Sequence, residues 1–97
     1  MNVVKTFHVG VDSGQILICD PCYIKNGFNI DFKRDEPSDK LDYNGCCHAS
    51  LSKQQAGMAG LGVCSSTGFG DGEYPVHIYY QHGRVSKIVI EFQGDEE

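Results

Sequence analysis

The sequence lacks the long hydrophobic segments that direct a protein into or across a membrane. Its aliphatic runs are no longer than three residues, as in Ile16–Ile18, whereas a membrane-spanning helix needs ~20 apolar residues. Residues 1–11 alternate polar and apolar side chains and do not form the apolar core of a secretory signal peptide. We therefore expect a cytoplasmic protein with no membrane partner.

Basic residues are also few. Eight lysines and arginines stand against thirteen acidic residues, and the formal net charge is −5. Proteins that bind long DNA or RNA usually carry a basic face that neutralises phosphates, so we do not expect long nucleic acid as a partner. The motifs GxxxxGK[ST] and GxGxxG are absent, as are HExxH and the nucleophile elbow. The absence of the two glycine motifs excludes a Walker-type nucleotide site.

What remains is the composition of a small globular protein. The chain has 97 residues, of which 40% are hydrophobic and 22% charged. A chain of this length buries only ~60–65% of the surface of its unfolded form, so it has room for one small core. We predict a single domain over residues 1–97, in which the acidic segment 93–97 is a frayed tail.

Five cysteines are an odd number for a disulfide framework, and reduced thiols are expected in a chain without an export signal. Cys19 and Cys22 have the CxxC spacing of zinc and redox sites, and Cys46–His48 could complete a tetrahedral set of ligands. Buried structural thiols are the favoured interpretation, and Cys19 in particular ends an apolar strand. We predict no metal and no cofactor.

The hydrophobic pattern predicts mainly β structure. Val3–Val11 and Gln15–Cys19 are β-rich runs separated by a tight turn and stopped at Pro21, so a hairpin over residues 3–19 is expected. Tyr74–Tyr80 and Val85–Phe92 flank a turn that contains glycine and predict a second hairpin. In its second strand the predicted core face consists of Ser86, Ile88, Ile90 and Phe92.

The middle of the chain is less regular. Residues 31–42 carry eight charged side chains in twelve and indicate an exposed connector, with a lid over a ligand as the alternative. Residues 46–51 are a possible strand, and residues 50–57 a possible short helix. Together these patterns predict a small antiparallel sheet, sandwich or barrel-like fold with at most one short helix.

Three blocks resemble an uncharacterised family of small proteins that are common in bacteriophages and bacteria. They are Val11–Gln15 continuing to Asp20–Tyr23, then Tyr43–Leu51, then Ser65–Val76. The resemblance covers roughly residues 9 to 92. It implies a compact β-rich domain but no established activity. Its relatives often have glycine at Cys19 and alanine at Cys46, which argues against a metal site that depends on these two thiols.

The polar residues of these blocks flank turns, where binding groups are usually carried. Segment 57–72 holds six of the twelve glycines, which let the backbone approach a ligand or a strand closely. Backbone amides can hold an anion and aromatic rings can stack on a base. The predicted ligand-binding residues are Tyr23, Ser65, Ser66, Thr67, Phe69, Asp71, Tyr74 and Arg84.

These features, with the resemblance to phage proteins, lead to the hypothesis of a non-enzymatic anti-defence protein that sequesters a small nucleotide signal in the host cytoplasm. One alternative is a phage antagonist that pairs an edge strand with a host protein. Another is a small enzyme that uses Cys22 or Cys47 with His48 or His77, or the carboxylates of Asp20 and Asp71. A homo-oligomer is expected because so small a core gains from burying a second apolar face.

Overall fold

A computed structural model of the chain describes residues 3–24, 28 and 30–93. In this part of the chain six strands form two three-stranded antiparallel sheets, accompanied by one α-helix, which confirms the mainly β fold class. The elements are β1 (Val3–Val11), β2 (Gln15–Ile18), a short 3-10 helix (Pro21–Tyr23), α1 (Tyr43–Ser50), β3 (Ala56–Ala59), β4 (Gly62–Ser66), β5 (Gly72–Gln81) and β6 (Arg84–Ile90).

The chain divides into two compact units. Unit 1 contains residues 1–14 and 68–97, and unit 2 contains residues 15–67. None of the helical segments in the described ranges has the length and hydropathy required to cross a membrane. Residues 94–97 of the predicted acidic tail lie outside the described residues.

Unit 1 is built on a sheet with the strand order β1-β5-β6. The predicted hairpin of β5 and β6 is confirmed, and Gln81 pairs with Arg84 across a two-residue turn. Both turn residues, His82 and Gly83, have positive φ angles, of 55° and 75°. This is the pattern of a type I′ turn, whose twist matches that of the flanking strands.

The predicted hairpin over residues 3–19 is wrong. β1 pairs with β5, from Val3 opposite Tyr80 to Val11 opposite Gly72, whereas β2 pairs with β4 in the other sheet. After β1 the chain bends at residues 12–14 and passes from one sheet to the other. All nine residues of β1 pair with residues of β5. β2 has only four residues, so a hairpin with β2 would leave most of β1 unpaired.

Residues paired across antiparallel strands lie on the same face of the sheet. The two faces of the unit 1 sheet, identified in this way, differ in polarity. One face, which we call the apolar face, presents Val3, Lys5, Phe7, Val9, Val11, Tyr74, Val76, Ile78, Tyr80, Val85, Ile88 and Ile90. The opposite, polar face presents Val4, Thr6, His8, His77, Tyr79, Lys87 and Val89.

The predicted core face of β6 is confirmed only in part. Ile90 and Phe92 are half-buried, but Ile88 is 58% exposed and Ser86 is also exposed. The register shifts between Tyr79 and Tyr80, so that Val85 and not Ser86 lies opposite Tyr80. A bulge of this kind changes which side chains point to each face, and alternation alone does not reveal it.

Unit 2 packs α1 against a sheet with the strand order β2-β4-β3. Its core consists of Cys46, Ala59 and Cys64, with Leu17, Phe28 and Ala49 packed around them. Leu17 and Gly57 lie opposite Cys64 on the two neighbouring strands, so this face of the sheet meets the helix. The small residues at these positions allow helix and sheet to approach closely.

The helix lies where the sequence predicted a strand, so the strand expectation for residues 46–51 is wrong. The side chain of Asp42 accepts a 2.7 Å hydrogen bond from the amide of Gly45 and caps the first turn. The short helix predicted over residues 50–57 is also wrong: α1 ends at Ser50, Gln55 has a φ of 63°, and β3 begins at Ala56.

The charged segment 31–42 is a largely exposed connector, as predicted. The side chain of Asn44 holds it in place. Its Oδ1 accepts from the amide of Lys33 at 2.8 Å, and its Nδ2 donates to the carbonyl of Glu36 at 2.8 Å. One side chain on the first turn of α1 therefore shapes the connector that precedes the helix.

Candidate functional site

The clearest candidate site is the loop of residues 68–72, which we call the glycine loop. Gly68 and Gly70 have φ angles of 81° and 85°, a region that residues with a β-carbon rarely adopt. The hydroxyl of Tyr74 donates a 2.8 Å hydrogen bond to the carbonyl oxygen of Gly70. The loop is therefore anchored at Gly70 by the side chain of Tyr74, which lies near the start of β5.

Tyr74 itself belongs to the interior of unit 1. It is 8% exposed, and its ring meets that of Phe92 edge to face, with centroids 5.4 Å apart. Val11, at the end of β1, is buried as well. Aromatic pairs in this arrangement add ~0.5–1.5 kcal/mol to the free energy gained by burial. The ring of Tyr74 thus supports the glycine loop from beneath.

Two predicted ligand-binding residues are displayed by the glycine loop. The side chain of Phe69 is 62% exposed, and Asp71 is exposed as well. An exposed ring offers a surface on which a planar group can stack, and a carboxylate accepts hydrogen bonds from hydroxyl or amino groups. Phe69, Asp71 and Tyr74 are the three predicted residues on or next to the glycine loop, but Tyr74 is buried and exposes little surface to a ligand.

Arg84 lies apart from them. It is the first residue of β6 and pairs with Gln81, at the opposite end of β5 from Tyr74. Seven residues of extended strand separate Tyr74 from Gln81, or about 23 Å. Arg84 was predicted to belong to the site because it lies beside a turn. The β5–β6 register places that turn at the end of the sheet far from Tyr74.

The remaining predicted residues belong to unit 2. Ser65 and Ser66 are neighbours on β4 and project to opposite faces of the sheet, so their hydroxyls do not converge. The Ser65 hydroxyl donates to the carbonyl of Ser66 at 2.8 Å. Thr67 is fully buried, and Tyr23 is an exposed residue of the 3-10 helix. The hydroxyl run is therefore integrated into the fold of unit 2.

The candidate cysteine–histidine pair of α1 is not joined by a hydrogen bond. The thiol of Cys47 accepts from Nε2 of Gln15 at 3.4 Å, whereas Nε2 of His48 donates to the carbonyl of Lys33 at 2.9 Å. The ring of His48 also lies against Phe32, with centroids 5.5 Å apart. Consecutive helical residues project about 100° apart, which explains why the two side chains have different partners.

All five cysteines are free thiols. Burial raises the pKa of the Cys46 and Cys64 thiols, which also form a hydrogen bond with each other. A neutral thiol is a poor nucleophile and a poor metal ligand. Within the described ranges, His, Cys, Asp and Glu side chains form no group of three that could hold a metal ion.

Sequence reasoning missed a polar chain on the polar face. Oγ1 of Thr6 and Nδ1 of His77 are 2.8 Å apart, and Nε2 of His77 lies 2.7 Å from Oε1 of Glu91. The order of hydroxyl, imidazole and carboxylate matches that of hydrolase triads, but these groups lie across an exposed sheet face. They form a ladder of cross-strand pairs, which the β1–β5 register reveals and the sequence does not.

A cavity of about 370 Å³ lies beside the charged connector. Its lining residues are Asp31, Lys33, Glu36, Pro37, Ser38, Asp39, Lys40, Asp42 and Asn44. Four carboxylates face two lysines, and Lys33 is paired with Glu36 at 3.8 Å. This excess of carboxylates disfavours a phosphate.

Comparison of the chain with models of known protein families, with curated proteins and with solved structures finds no match. The resemblance to a family of small phage and bacterial proteins therefore stays a prediction, and the function is argued from the site.

Proposed function

We propose that this chain is a non-catalytic cytoplasmic binding protein that sequesters a small nucleotide signal, as an anti-defence protein of a phage would. The observation that carries the proposal is the exposed ring of Phe69 on a loop that Tyr74 anchors through Gly70. The exposed ring offers a flat apolar surface, and the planar bases of nucleotides stack on such rings.

Anchoring of the loop supports tight binding. A ligand that stacks on a mobile loop must first order it, and that cost is subtracted from the binding free energy. In the glycine loop the hydrogen bond from Tyr74 to Gly70 already restricts the backbone. More of the stacking energy, ~1–3 kcal/mol per base, is then available for affinity.

The charge of the site limits the kind of nucleotide. Asp71 lies two residues from Phe69, and the chain as a whole carries a net charge of −5. Long-range attraction of phosphates is therefore absent, and a ligand with few phosphates is favoured. A carboxylate beside the stacked base is suited to accept hydrogen bonds from the ribose hydroxyls or from an exocyclic amino group.

The experiment is a calorimetric titration of the protein with cyclic and linear nucleotides and ADP-ribose derivatives, repeated with Phe69→Ala. We expect the variant to bind at least ~10-fold more weakly, in line with the loss of one stacked base. The matched control is Leu61→Ala, because Leu61 is 69% exposed at the tip of the β3–β4 hairpin. Equal affinity of Phe69→Ala and the unmodified protein would overturn the proposal.

A second candidate function is the binding of another polypeptide. One row of side chains crosses the unit 2 sheet on the face away from α1, and all three members are exposed: Ile18, Met58 and Val63. An apolar row beside the edge strands β2 and β3 suits an added strand. Its test is pull-down of a host polypeptide by the unmodified protein and by Met58→Lys, with Leu61→Lys as the control variant.

A further inference from the structure

We propose that a second copy of this chain covers the apolar face of the β1-β5-β6 sheet and forms a six-stranded sandwich across a two-fold axis. The inference rests on the sheet of unit 1 and does not depend on the ligand of the glycine loop. Large apolar side chains of this face are exposed to solvent. Phe7 and Ile88, on the two outer strands, are 56% and 58% exposed, and Val3 and Val85 are exposed as well.

The central strand of this face is covered only in part. Val76, Ile78 and Tyr80 follow one another along β5, and each is half-buried. A sheet with an apolar face needs a second layer, supplied by a helix or by another sheet. The described residues of unit 1 contain the three strands and no helix. The described residues of unit 1 therefore supply no helix and no second sheet to cover this face.

The opposite face of the same sheet is polar and does not require a second layer. Its side chains are joined by the chain of Thr6, His77 and Glu91, and the ammonium of Lys87 lies 4.6 Å from the centre of the Tyr79 ring. These polar contacts suit a face in contact with water. The sheet is thus polar on one side and apolar on the other, and the apolar side is covered at its Tyr74 end, where the ring of Phe92 lies against that of Tyr74.

The size of the apolar face suits a small dimer. Four of its large apolar side chains, Val3, Phe7, Val85 and Ile88, are between 42% and 58% exposed. The largest apolar patch that a typical monomer exposes is ~300–600 Å², and two such patches packed face to face would bury the ~1,000 Å² from which specific interfaces begin.

The chemistry of the face favours a second copy over a different protein. Its one charged residue is Lys5, so two identical faces meet without an array of like charges despite the net charge of −5. Homodimer interfaces are more apolar than those of transient complexes, whose partners usually recognise each other through charge. Two identical sheets also share the same twist, and they can therefore pack aligned at a spacing of ~10 Å.

The experiment measures molar mass by sedimentation equilibrium from micromolar to millimolar concentration. The variants are Phe7→Lys and Ile88→Lys, each of which places a charge within the apolar face. The matched control is Val4→Lys, because Val4 lies on the same strand as Phe7, is 48% exposed and points to the polar face. Circular dichroism and thermal unfolding establish that each variant is folded.

We expect the unmodified protein and Val4→Lys to be dimers, and both Phe7→Lys and Ile88→Lys to be monomers. A monomeric unmodified protein at millimolar concentration would overturn the proposal. So would dissociation by Phe7→Lys and Val4→Lys but not by Ile88→Lys, since that pattern indicates pairing through the edge of β1. A dimer that survives all three substitutions would place the interface on another surface and would also overturn it.

Discussion

The hydroxyl of Tyr74 donates a 2.8 Å hydrogen bond to the carbonyl oxygen of Gly70, four residues earlier in the chain. This bond ties the start of β5 to the loop that carries Phe69. It also gives the two aromatic residues different roles, because Tyr74 is buried beneath the loop and Phe69 projects from it. The glycine loop can therefore present a ring to a ligand without first being ordered by that ligand.

Removing the hydroxyl should loosen the loop. We expect Tyr74→Phe to lower the free energy of unfolding by ~1 kcal/mol, the usual net value of one hydrogen bond. Amide exchange should quicken in residues 68–72 and stay unchanged in the centre of β5. The measurements are urea unfolding and hydrogen exchange by NMR. Tyr79→Phe is the control, and equal exchange of the loop in both variants would show that the anchor has no effect.

Gly45 is required by steric contact, although it lies in a helix. A β-carbon at this position would overlap the carbonyl oxygen of Lys40, which belongs to the backbone and cannot move aside easily. In an ordinary helix Gly→Ala stabilises by ~1 kcal/mol, but overpacking costs ~1–3 kcal/mol. We therefore expect Gly45→Ala to lower the free energy of unfolding, and urea titration will measure the change.

The control for this substitution is Gly10→Ala in β1. A β-carbon at Gly10 would meet no atom within 4 Å. We expect its unfolding midpoint to match that of the unmodified protein or to exceed it slightly. An increase in stability with Gly45→Ala would contradict the close approach of α1 to the preceding connector.

The cysteines should differ strongly in reactivity. Cys22 is exposed, whereas Cys64 is 0% exposed and burial raises the pKa of its thiol. Only the thiolate attacks an alkylating reagent, so Cys22 should be modified first and Cys64 last. Time-resolved labelling with iodoacetamide and peptide mass spectrometry will give the order. Labelling of Cys64 as fast as Cys22 in the folded protein would contradict the core of unit 2.

The same burial predicts a loss of stability in alkaline solution. In the unfolded chain Cys46 and Cys64 ionise near pH ~8.5, but in the folded chain burial raises the pKa of both thiols. Above that pH the unfolded state binds fewer protons than the folded state. Stability is therefore full below pH ~8.5 and falls by ~1.4 kcal/mol per pH unit for each thiol above it.

Urea unfolding between neutral pH and pH ~10 tests this dependence. We expect the slope to be shallower in Cys64→Ala, whatever its stability at neutral pH, and unchanged in Cys22→Ala, because Cys22 is exposed. Identical slopes in the unmodified protein and Cys64→Ala would show that the Cys64 thiol is not protected by burial.

Local signals predicted the β5–β6 hairpin, because both strands and their two-residue turn are contiguous in the sequence. They failed for β1, whose partner β5 begins 61 residues after β1 ends. They failed again for α1, because a helix of eight residues with Cys46 and Cys47 at its centre shows no helical periodicity. Its cap at Asp42 was the signal that could have revealed it.

For the site, the glycines of segment 57–72 indicated backbone with positive φ angles, and Gly60, Gly68, Gly70 and Gly72 adopt them. Which ring is exposed could not be predicted. The burial of Tyr74 depends on Phe92, which is distant in the sequence, and the separation of Arg84 depends on the length of β5. Both are consequences of strand register, which composition does not determine.

The most direct test of nucleotide sequestration is thermal unfolding of the protein with cyclic and linear nucleotides and ADP-ribose derivatives, followed by chromatography of the bound molecule. A ligand at 100 times its Kd adds ~2.7 kcal/mol, which shifts the midpoint of a domain this small by roughly 10 °C or more. We predict a shift with one nucleotide class and recovery of that nucleotide unchanged. The absence of any shift, or recovery of a cleaved product, would contradict the account.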